Sequence, residues 1–211
     1  MLRFLFQGDS ITDATRVDED DGGRGSSLFG YGYPLLFASD YLKNKAGEYE
    51  FINRGVSGDR IVDLYARIKD DIINLKPDVM SILIGVNDVW HELNNENGVA
   101  APKYEKIYDM LIAEIKEELP DIRIVILEPF VLKGEGTSMY YDEFRSELKL
   151  RGEAARRVAD KHGLVFVSLQ DKFDKAAAEV SPEYWTTDGV HPTAAGHQLI
   201  KEALAEGVES L

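Results

Sequence analysis

The chain has 211 residues, of which 44% are hydrophobic and 29% charged, a composition typical of one soluble α/β domain with a substantial core. Its formal net charge of −14 argues against nucleic acids and anionic membrane surfaces as partners. It has no cysteine, which excludes disulfides, thiolate catalysis and cysteine-ligated zinc. No apolar run approaches the length of a membrane span, and none resembles a signal peptide, so we expect a cytoplasmic protein.

The first predicted element is a short apolar strand that begins at Arg3 and ends in Gly8-Asp9-Ser10. Ser10 therefore lies where the chain turns over the end of a sheet. Ligands of open α/β sheets collect beyond the carboxyl ends of the strands. Gly-Asp-Ser is also an ordinary turn sequence, so its meaning depends on the residues at the ends of the later strands.

An acidic, glycine-rich stretch from Val17 to Ser27 comes next, and its composition is that of a loop. Two interpretations stay open for it: a solvated surface loop, or a loop beside the active site. The next element is a helix from Tyr33 to Lys45, in which Pro34 suits the first turn.

The second predicted strand, Tyr49 to Asn53, ends in a turn that contains Gly55 and Gly58. Apolar spacing then predicts one helix from Arg60 to Leu75. The third strand, Asp78 to Gly85, is almost entirely apolar, as central parallel strands are.

The rest of the chain alternates in the same way. The predicted elements are a helix, a strand, a long helix, a last strand and two helices: 102–119, 122–127, a helix ending at His162 before Gly163, 164–167, 170–180, and a helix capped by Thr193. This alternation predicts a parallel sheet covered by helices on both faces, in one domain over residues 1–211.

Five polar or glycine positions lie after the predicted strand ends or before the last helix: Ser10, Gly58, Asn87, Asp188 and His191. Parallel strands place their carboxyl ends along one edge, so these positions can meet in one cleft. A serine hydroxyl needs a base to become a nucleophile, and an aspartate can orient a histidine for that task. Two main-chain N–H groups and an asparagine amide could bind the resulting oxyanion.

Four short segments resemble, in order, the motifs of the SGNH hydrolases, also called the GDSL esterase/lipase family. They are Gly8-Asp9-Ser10, Gly55-Val56-Ser57-Gly58, Gly85-Val86-Asn87-Asp88 and Asp188-Gly189-Val190-His191-Pro192. The resemblance implies Ser10 as nucleophile, His191 as base and Asp188 as its orienting acid. It implies an oxyanion hole of Ser10, Gly58 and Asn87. The implied fold is a flavodoxin-like three-layer α/β/α sandwich around a five-stranded parallel sheet. One departure is small, because Ile11 replaces the leucine that comes after the serine.

Two segments, Gly55 to Asp63 and Ser81 to Trp90, look most like the acetyl-xylan and other carbohydrate esterases of this family. Trp185 resembles a tryptophan that can hold a sugar ring near the Asp188 loop, although packing is an equal interpretation. We expect His197, in the last helix, to lie buried beside the His191 loop. Trp90 is expected in the cleft wall or the core.

The sequence thus predicts a serine ester hydrolase that removes short acyl groups, preferably acetyl groups, from carbohydrates through an acyl-enzyme. No cofactor or metal is expected, the partner is a small or oligosaccharide ester, and a homo-oligomer stays open. A general acylester hydrolase or lysophospholipase of the same fold is the nearest alternative.

Two more distant alternatives belong to other classes. One is a catalytically silent carbohydrate-binding module. The other is a metal-dependent phosphoesterase, whose ligands would be drawn from Asp9, Asp13, Asp88, Asp188 and His191. Two-metal sites usually draw on several histidines, and this chain has four, of which two are predicted in helices away from the strand ends.

Overall fold

The structure is a computed structural model that describes residues 1–211. Five strands form one all-parallel sheet in the order β2-β1-β3-β4-β5. Their bounds are β1 Leu2–Gly8, β2 Tyr49–Asn53, β3 Val79–Leu83, β4 Arg123–Leu127 and β5 Val165–Val167. The predicted five-stranded parallel sheet is confirmed, and its strand order is the flavodoxin-like one.

Nine α-helices connect the strands or come after them. Their bounds are α1 Ser10–Asp13, α2 Tyr33–Asn44, α3 Ile61–Ala66, α4 Val86–Asn95, α5 Ala101–Glu118, α6 Tyr141–His162, α7 Gln170–Glu179, α8 Pro182–Trp185 and α9 Ala194–Glu209. Short 3₁₀ turns lie at Glu19–Asp21, Gly25–Phe29 and Ser138–Tyr140. As predicted, Gly163 ends α6 in a left-handed conformation, and the Thr193 hydroxyl caps α9 by accepting from the Gly196 N–H.

The sheet has a hydrophobic core on each face. Successive side chains of a strand point to opposite faces, so Phe4 and Phe6 enter one core while Leu5 enters the other. Helices α2 and α9 pack on the first core and α3 and α5 on the second, while α6 contributes residues to both. This arrangement is the predicted three-layer α/β/α sandwich.

The strand register brings the candidate site together. Gly8 at the end of β1 pairs with Leu83 of β3, and Leu83 pairs with Leu127 of β4. The chain leaves β1 for β2 on one side and reaches β3 on the other, so the connections diverge at β1. Such a switch point opens a crevice at the carboxyl ends of the strands, where ligands of these folds bind.

Two elements differ from the sequence prediction. The helix expected from Arg60 to Leu75 is α3 and, after it, a π-helical turn at Lys69–Ile73. Its apolar residues keep helical spacing across the break, so periodicity alone could not locate it. In addition, α4 occupies a segment for which no helix was predicted, although apolar residues recur at helical spacing through it.

No helix combines the length and the apolar character that crossing a bilayer requires.

Candidate active site

Ser10 is the first residue of α1 and comes after β1 and a sharp turn. Asp9 caps this helix, because its Oδ1 accepts a hydrogen bond of 3.0 Å from the Ile11 N–H. Gly8 has a φ of +157°, and a Cβ added there would lie 2.3 Å from the Leu83 carbonyl oxygen and from Thr12 Oγ1. The turn that presents Ser10 therefore requires glycine at position 8.

The Ser10, His191 and Asp188 side chains form a continuous hydrogen-bonded chain. Ser10 Oγ lies 2.9 Å from His191 Nε2, and His191 Nδ1 lies 2.6 Å from Asp188 Oδ2. The other carboxylate oxygen of Asp188 accepts from the main-chain N–H groups of Val190 and His191. Asp188 is thus fixed by the same short loop that carries the imidazole, and the three predicted side chains come together.

The contact between the two side chains favours the protonated form of the His191 imidazole and the ionised form of the Asp188 carboxylate. The hydrogen bond to Asp188 raises the pKa of His191 above its ordinary value of 6.5, although burial opposes this shift. Burial tends to raise the pKa of Asp188, but hydrogen bonds from His191 and the Val190 N–H lower it overall. Behind the serine, burial raises the pKa of the Asp9 carboxyl to about 7, while the Ile11 N–H and His191 oppose the rise.

The two remaining predicted residues lie in adjoining segments. Gly58 has a φ of +86° in the turn after β2, and Asn87 lies almost fully buried in the first turn of α4. Asn87 Nδ2 donates to the Asp59 carbonyl oxygen at 3.1 Å, which joins α4 to the residue after Gly58. One hydrogen of the Asn87 amide serves this contact, so the second can bind another acceptor.

The turn that contains Gly58 is also attached to α1. Ser57 Oγ donates to Asp13 Oδ2 at 2.8 Å. Ser10 is the first residue of α1, so its own N–H has no acceptor within the helix. The predicted oxyanion donors thus belong to three segments that hydrogen bonds hold side by side.

A cavity of about 410 Å³ lies beside Ser10 on the side of the imidazole. Its lining residues are Ser10, Ile11, Ala14, Thr15, Tyr31, Ser57, His191, Pro192, Ala194 and His197. Tyr31 is 79% exposed at this cavity, and its main-chain N–H donates to the Ala14 carbonyl oxygen at 2.8 Å. The ring is therefore accessible on a backbone that is held in place, a feature that sequence reasoning missed because it lies in loop sequence.

The tryptophans occupy different positions. The Trp185 indole N–H donates to the Val180 carbonyl oxygen at 3.2 Å, and its ring packs against the first core. Trp185 does not line the cavity beside Ser10, and its contact with a sugar stays a prediction. The Trp90 ring lies with its centroid 5.8 Å from that of His191, so Trp90 forms part of the wall around the imidazole.

His197 lies partly buried in the wall of this cavity, beside the His191 loop as the sequence predicted. Its Nδ1 is 3.2 Å from the Tyr33 main-chain N–H, which donates to it, and the two rings stack. Burial lowers the pKa of His197 to about 4, and the nearby His191 adds to the shift. The neutral imidazole of His197 therefore acts as a hydrogen-bond acceptor at the base of α9.

The acidic segment from Val17 to Ser27 lies elsewhere. Part of it lines a larger cavity of about 800 Å³ against the edge strand β2, together with Phe51 and Arg54. Ser10, Asp188 and His191 do not line that cavity. Of the two interpretations of this segment, the structure favours a surface loop at the edge of the sheet.

The carboxylates considered as metal ligands have separate partners. Asp9 accepts from the Ile11 N–H, Asp13 from Ser57, and Asp88 from the Ile61 N–H. No group of three or more histidine, aspartate or glutamate side chains is arranged to hold a metal ion.

Comparison with solved structures finds the same fold over almost the whole chain. A Parabacteroides merdae protein described as a GDSL-like lipase is 35% identical, with a TM-score of 0.92 over 99% of this chain and 95% of that one. An α/β hydrolase enzyme from the Lake Arreo metagenome is 32% identical, with a TM-score of 0.86 over 99% and 95% of the two chains.

An acetylxylan esterase from Geobacillus stearothermophilus is 31% identical over 206 residues, covering 95% of this chain and 91% of that protein. A solved structure of an acetylxylan esterase from the same organism is 30% identical, with a TM-score of 0.85 over 98% of this chain and 94% of that one. Catalytic mutants of that esterase replace a serine, an aspartate and a histidine by alanine.

Sequence comparison also identifies the family of this chain. Residues 6–199 match the model of the GDSL-like lipase/acylhydrolase family. This match includes the serine turn and both residues of the Asp188–His191 loop. The chain therefore belongs to the GDSL-like lipase/acylhydrolase family and is a carboxylic ester hydrolase.

Proposed function

We propose that this ester hydrolase removes acetyl groups from carbohydrate esters through an acyl-enzyme on Ser10. The observation that carries the proposal is the 2.9 Å contact between Ser10 Oγ and His191 Nε2, with Asp188 on the far ring nitrogen. A hydroxyl, an imidazole and a carboxylate in this order are the parts of a serine-hydrolase triad. The serine, aspartate and histidine altered in the catalytic mutants of the acetylxylan esterase support the same assignment.

In the first half of the reaction, Ser10 Oγ attacks the ester carbonyl carbon while His191 Nε2 takes the hydroxyl proton. The N–H groups of Ser10 and Gly58 and the Asn87 amide bind the oxyanion. The tetrahedral intermediate then collapses. The bond to the alcohol breaks, and His191 delivers its proton to the departing oxygen.

In the second half, a water molecule takes the position of the alcohol. His191 removes its proton as the water oxygen attacks the acyl carbon. The second tetrahedral intermediate collapses to the free carboxylic acid, and Ser10 recovers its proton from His191. Asp188 holds the imidazole in the required tautomer and stabilises its protonated form.

The cavity on the imidazole side supports a sugar as the alcohol component. His191 must protonate the leaving oxygen, so the alcohol has to lie beside this ring, where the 410 Å³ cavity is. Exposed aromatic faces such as that of Tyr31 can pack against the C–H face of a sugar. A sugar is uncharged and is therefore not repelled by the net charge of −14.

A panel of acetylated monosaccharides, acetylated xylo-oligosaccharides and lysophospholipids, assayed side by side, tests the substrate class. We expect the acetylated saccharides to give the highest kcat/KM. A higher kcat/KM on lysophospholipid would overturn the carbohydrate assignment in favour of a general acylester hydrolase or lysophospholipase of this fold.

Three further experiments separate the remaining alternatives. A serine-directed phosphonate should abolish turnover, whereas a chelator should leave it unchanged, because the proposed chemistry needs no cofactor. Loss of turnover with the chelator would favour metal-dependent hydrolysis. If the Ser10→Ala variant binds saccharide but no longer hydrolyses its esters, the protein is an enzyme and not a catalytically silent carbohydrate-binding module.

A further inference from the structure

We propose that Arg67 is a positioning residue of the oxyanion hole, an inference that rests on the proposed Ser10 mechanism. Arg67 lies where α3 ends and the π-helical turn begins. Its side chain is only 17% exposed. Short π segments inside helical regions frequently occur at functional sites, and here the break coincides with this residue.

The Arg67 guanidinium contacts the strand that leads to the nucleophile. Its Nη2 donates to the Gly8 carbonyl oxygen at 3.3 Å, and its Nη1 donates to Gln7 Oε1 at 3.0 Å. Gly8 is two residues before Ser10, and Gln7 is fully buried in β1. The guanidinium therefore fixes the end of β1, two residues before the Ser10 N–H.

The same guanidinium contacts the segment that carries Gly58. Nη1 also donates to the Arg54 carbonyl oxygen at 2.8 Å, at the start of the turn after β2. Nε donates to Asp59 Oδ2 at 2.7 Å, a contact between two largely buried charged side chains. The residue held by this ion pair comes directly after Gly58, so the orientation of the Gly58 N–H depends on it.

Asp59 extends the network to the third donor, because its carbonyl oxygen accepts from Asn87 Nδ2. One guanidinium thus connects, directly or through Asp59, the segments of all three proposed oxyanion donors. A planar guanidinium can hold these acceptors in fixed directions, whereas a lysine ammonium is a single point charge. Oxyanion stabilisation depends on donors that are oriented before the reaction begins.

The informative variant is Arg67→Lys, which retains the charge and removes the planar fork. Since a displacement of about 1 Å in an active site can cost about a hundredfold in rate, we expect kcat to fall by about ten- to a hundredfold. KM should change little, because the ground-state ester does not yet carry the oxyanion charge. The inhibition constant of a small boronic acid, which forms a tetrahedral adduct with serine, should rise in parallel with the loss in kcat/KM.

The matched control is Arg3→Lys. Arg3 is also partly buried and also donates to a main-chain carbonyl, that of Leu75, and to a carboxylate, that of Glu50. Arg3 lies near the amino end of β1, whereas Ser10 follows the carboxyl end of the same strand. Loss of an arginine network in general should lower the melting temperature of both variants, whereas loss of donor orientation should lower kcat only in Arg67→Lys.

All rates are referred to active sites titrated with a serine-directed phosphonate, so partial unfolding does not enter kcat. If Ser10 is labelled at one site per chain and kcat of Arg67→Lys stays within about twofold of the parent, the positioning role is wrong while the serine mechanism stands. If the parent protein itself is not labelled at Ser10, the proposed function fails instead.

A second variant, Asp59→Asn, tests the link to Gly58 and Asn87 and covers the case in which Arg67→Lys does not fold. We expect Asp59→Asn to lower kcat with little effect on KM. Combined with Arg67→Lys, the losses should be non-additive, because both substitutions weaken the same contact. An unchanged kcat in Asp59→Asn, or additive losses in the double variant, would contradict the proposed route through Asp59.

Discussion

Asn87 donates a hydrogen bond from its side-chain amide to the main-chain oxygen of Asp59, and this 3.1 Å contact joins helix α4 to the turn that carries Gly58. The residue thus has two tasks in the proposed reaction. One amide hydrogen holds the turn, and the other is free to bind an oxyanion. Replacing Asn87 should therefore both loosen this turn and remove an oxyanion donor.

We expect Asn87→Ala to lower kcat by about a hundred- to a thousandfold, the usual cost of losing one oxyanion-hole donor. Steady-state kinetics on an acetyl ester measure this loss. Asn94→Ala is the matched control, because Asn94 lies exposed on the same helix. Equal rates in the two variants would remove Asn87 from the proposed oxyanion hole.

The contact between Asp188 and His191 predicts a defined pH dependence. The imidazole must be neutral to accept the Ser10 proton, so kcat/KM should rise as the pH rises through the pKa of His191. Because Asp188 raises that pKa, the midpoint of the rise should lie above the ordinary value of 6.5. A rate that does not change between about pH 5 and 8 would count against His191 as the base.

Asp188→Asn should lower kcat by about ten-thousandfold, because an amide no longer selects the required imidazole tautomer. Without the carboxylate charge, the midpoint of the residual pH profile should move to lower pH. The fold should be retained, since the asparagine carbonyl can still accept from the Val190 and His191 N–H groups. A midpoint that stays in place would mean that another group raises the pKa of His191.

The cavity beside Ser10 predicts which aromatic residue contacts the alcohol. Tyr31→Ala should raise KM for an acetylated xylo-oligosaccharide several-fold and leave kinetics on a small aryl acetate unchanged. The effect should be confined to substrates long enough to reach the exposed Tyr31 ring. Tyr184→Ala serves as the control, because its ring is also exposed but does not line the cavity.

Trp185→Phe tests the sugar contact predicted from the sequence. The structure has the Trp185 indole bonded to Val180, so the substitution should lower stability slightly through the lost hydrogen bond. A selective rise in KM for the oligosaccharide in Trp185→Phe would support Trp185 as a sugar contact.

The Tyr31 variant has its own contradicting outcome. If Tyr31→Ala leaves KM for the acetylated xylo-oligosaccharide unchanged, the assignment of the 410 Å³ cavity to the alcohol is wrong.

His197 predicts a loss of stability in acid. Its pKa is about 4 in the folded chain against an ordinary value of 6.5, so the unfolded chain binds the proton more tightly. The free energy of unfolding should therefore fall as the pH falls from 6.5 towards 4, by about 3 kcal/mol in total from this residue.

His197→Asn isolates this contribution, because an asparagine oxygen can replace Nδ1 as the acceptor for the Tyr33 N–H and does not titrate in this range. Urea unfolding at several pH values gives the comparison. The difference in unfolding free energy between the two proteins should change with pH in favour of the variant as the solution becomes more acidic. A constant difference would mean that His197 does not titrate on unfolding.

Much of the fold could be predicted from local patterns. The β3 strand is almost entirely apolar, Thr193 begins α9 through its side chain, and Gly163 ends α6 through its backbone, all of which is readable in sequence. The break after α3 was not readable, because the apolar residues keep helical spacing across it. The spacing of Val86, Val89 and Leu93 is helical, so α4 is predictable from the sequence.

The candidate site was partly predictable from the topology of the sheet. Parallel strands bring their carboxyl ends together, so residues far apart in sequence could be assigned to one edge. The sequence could not distinguish Tyr31 from other loop residues, nor rank Trp90 above Trp185 near the imidazole. Both distinctions depend on how loops pack over the sheet, as the 5.8 Å separation of the Trp90 and His191 rings illustrates.

The most direct test of the central claim is to label the protein with a serine-directed phosphonate and locate the adduct by peptide mass spectrometry. We expect one phosphonyl group per chain, on Ser10, and a loss of esterase activity in proportion to labelling. His191→Ala should label far more slowly. Full esterase activity in protein labelled at Ser10, or inactivation with the adduct on a different residue, would contradict the proposed mechanism.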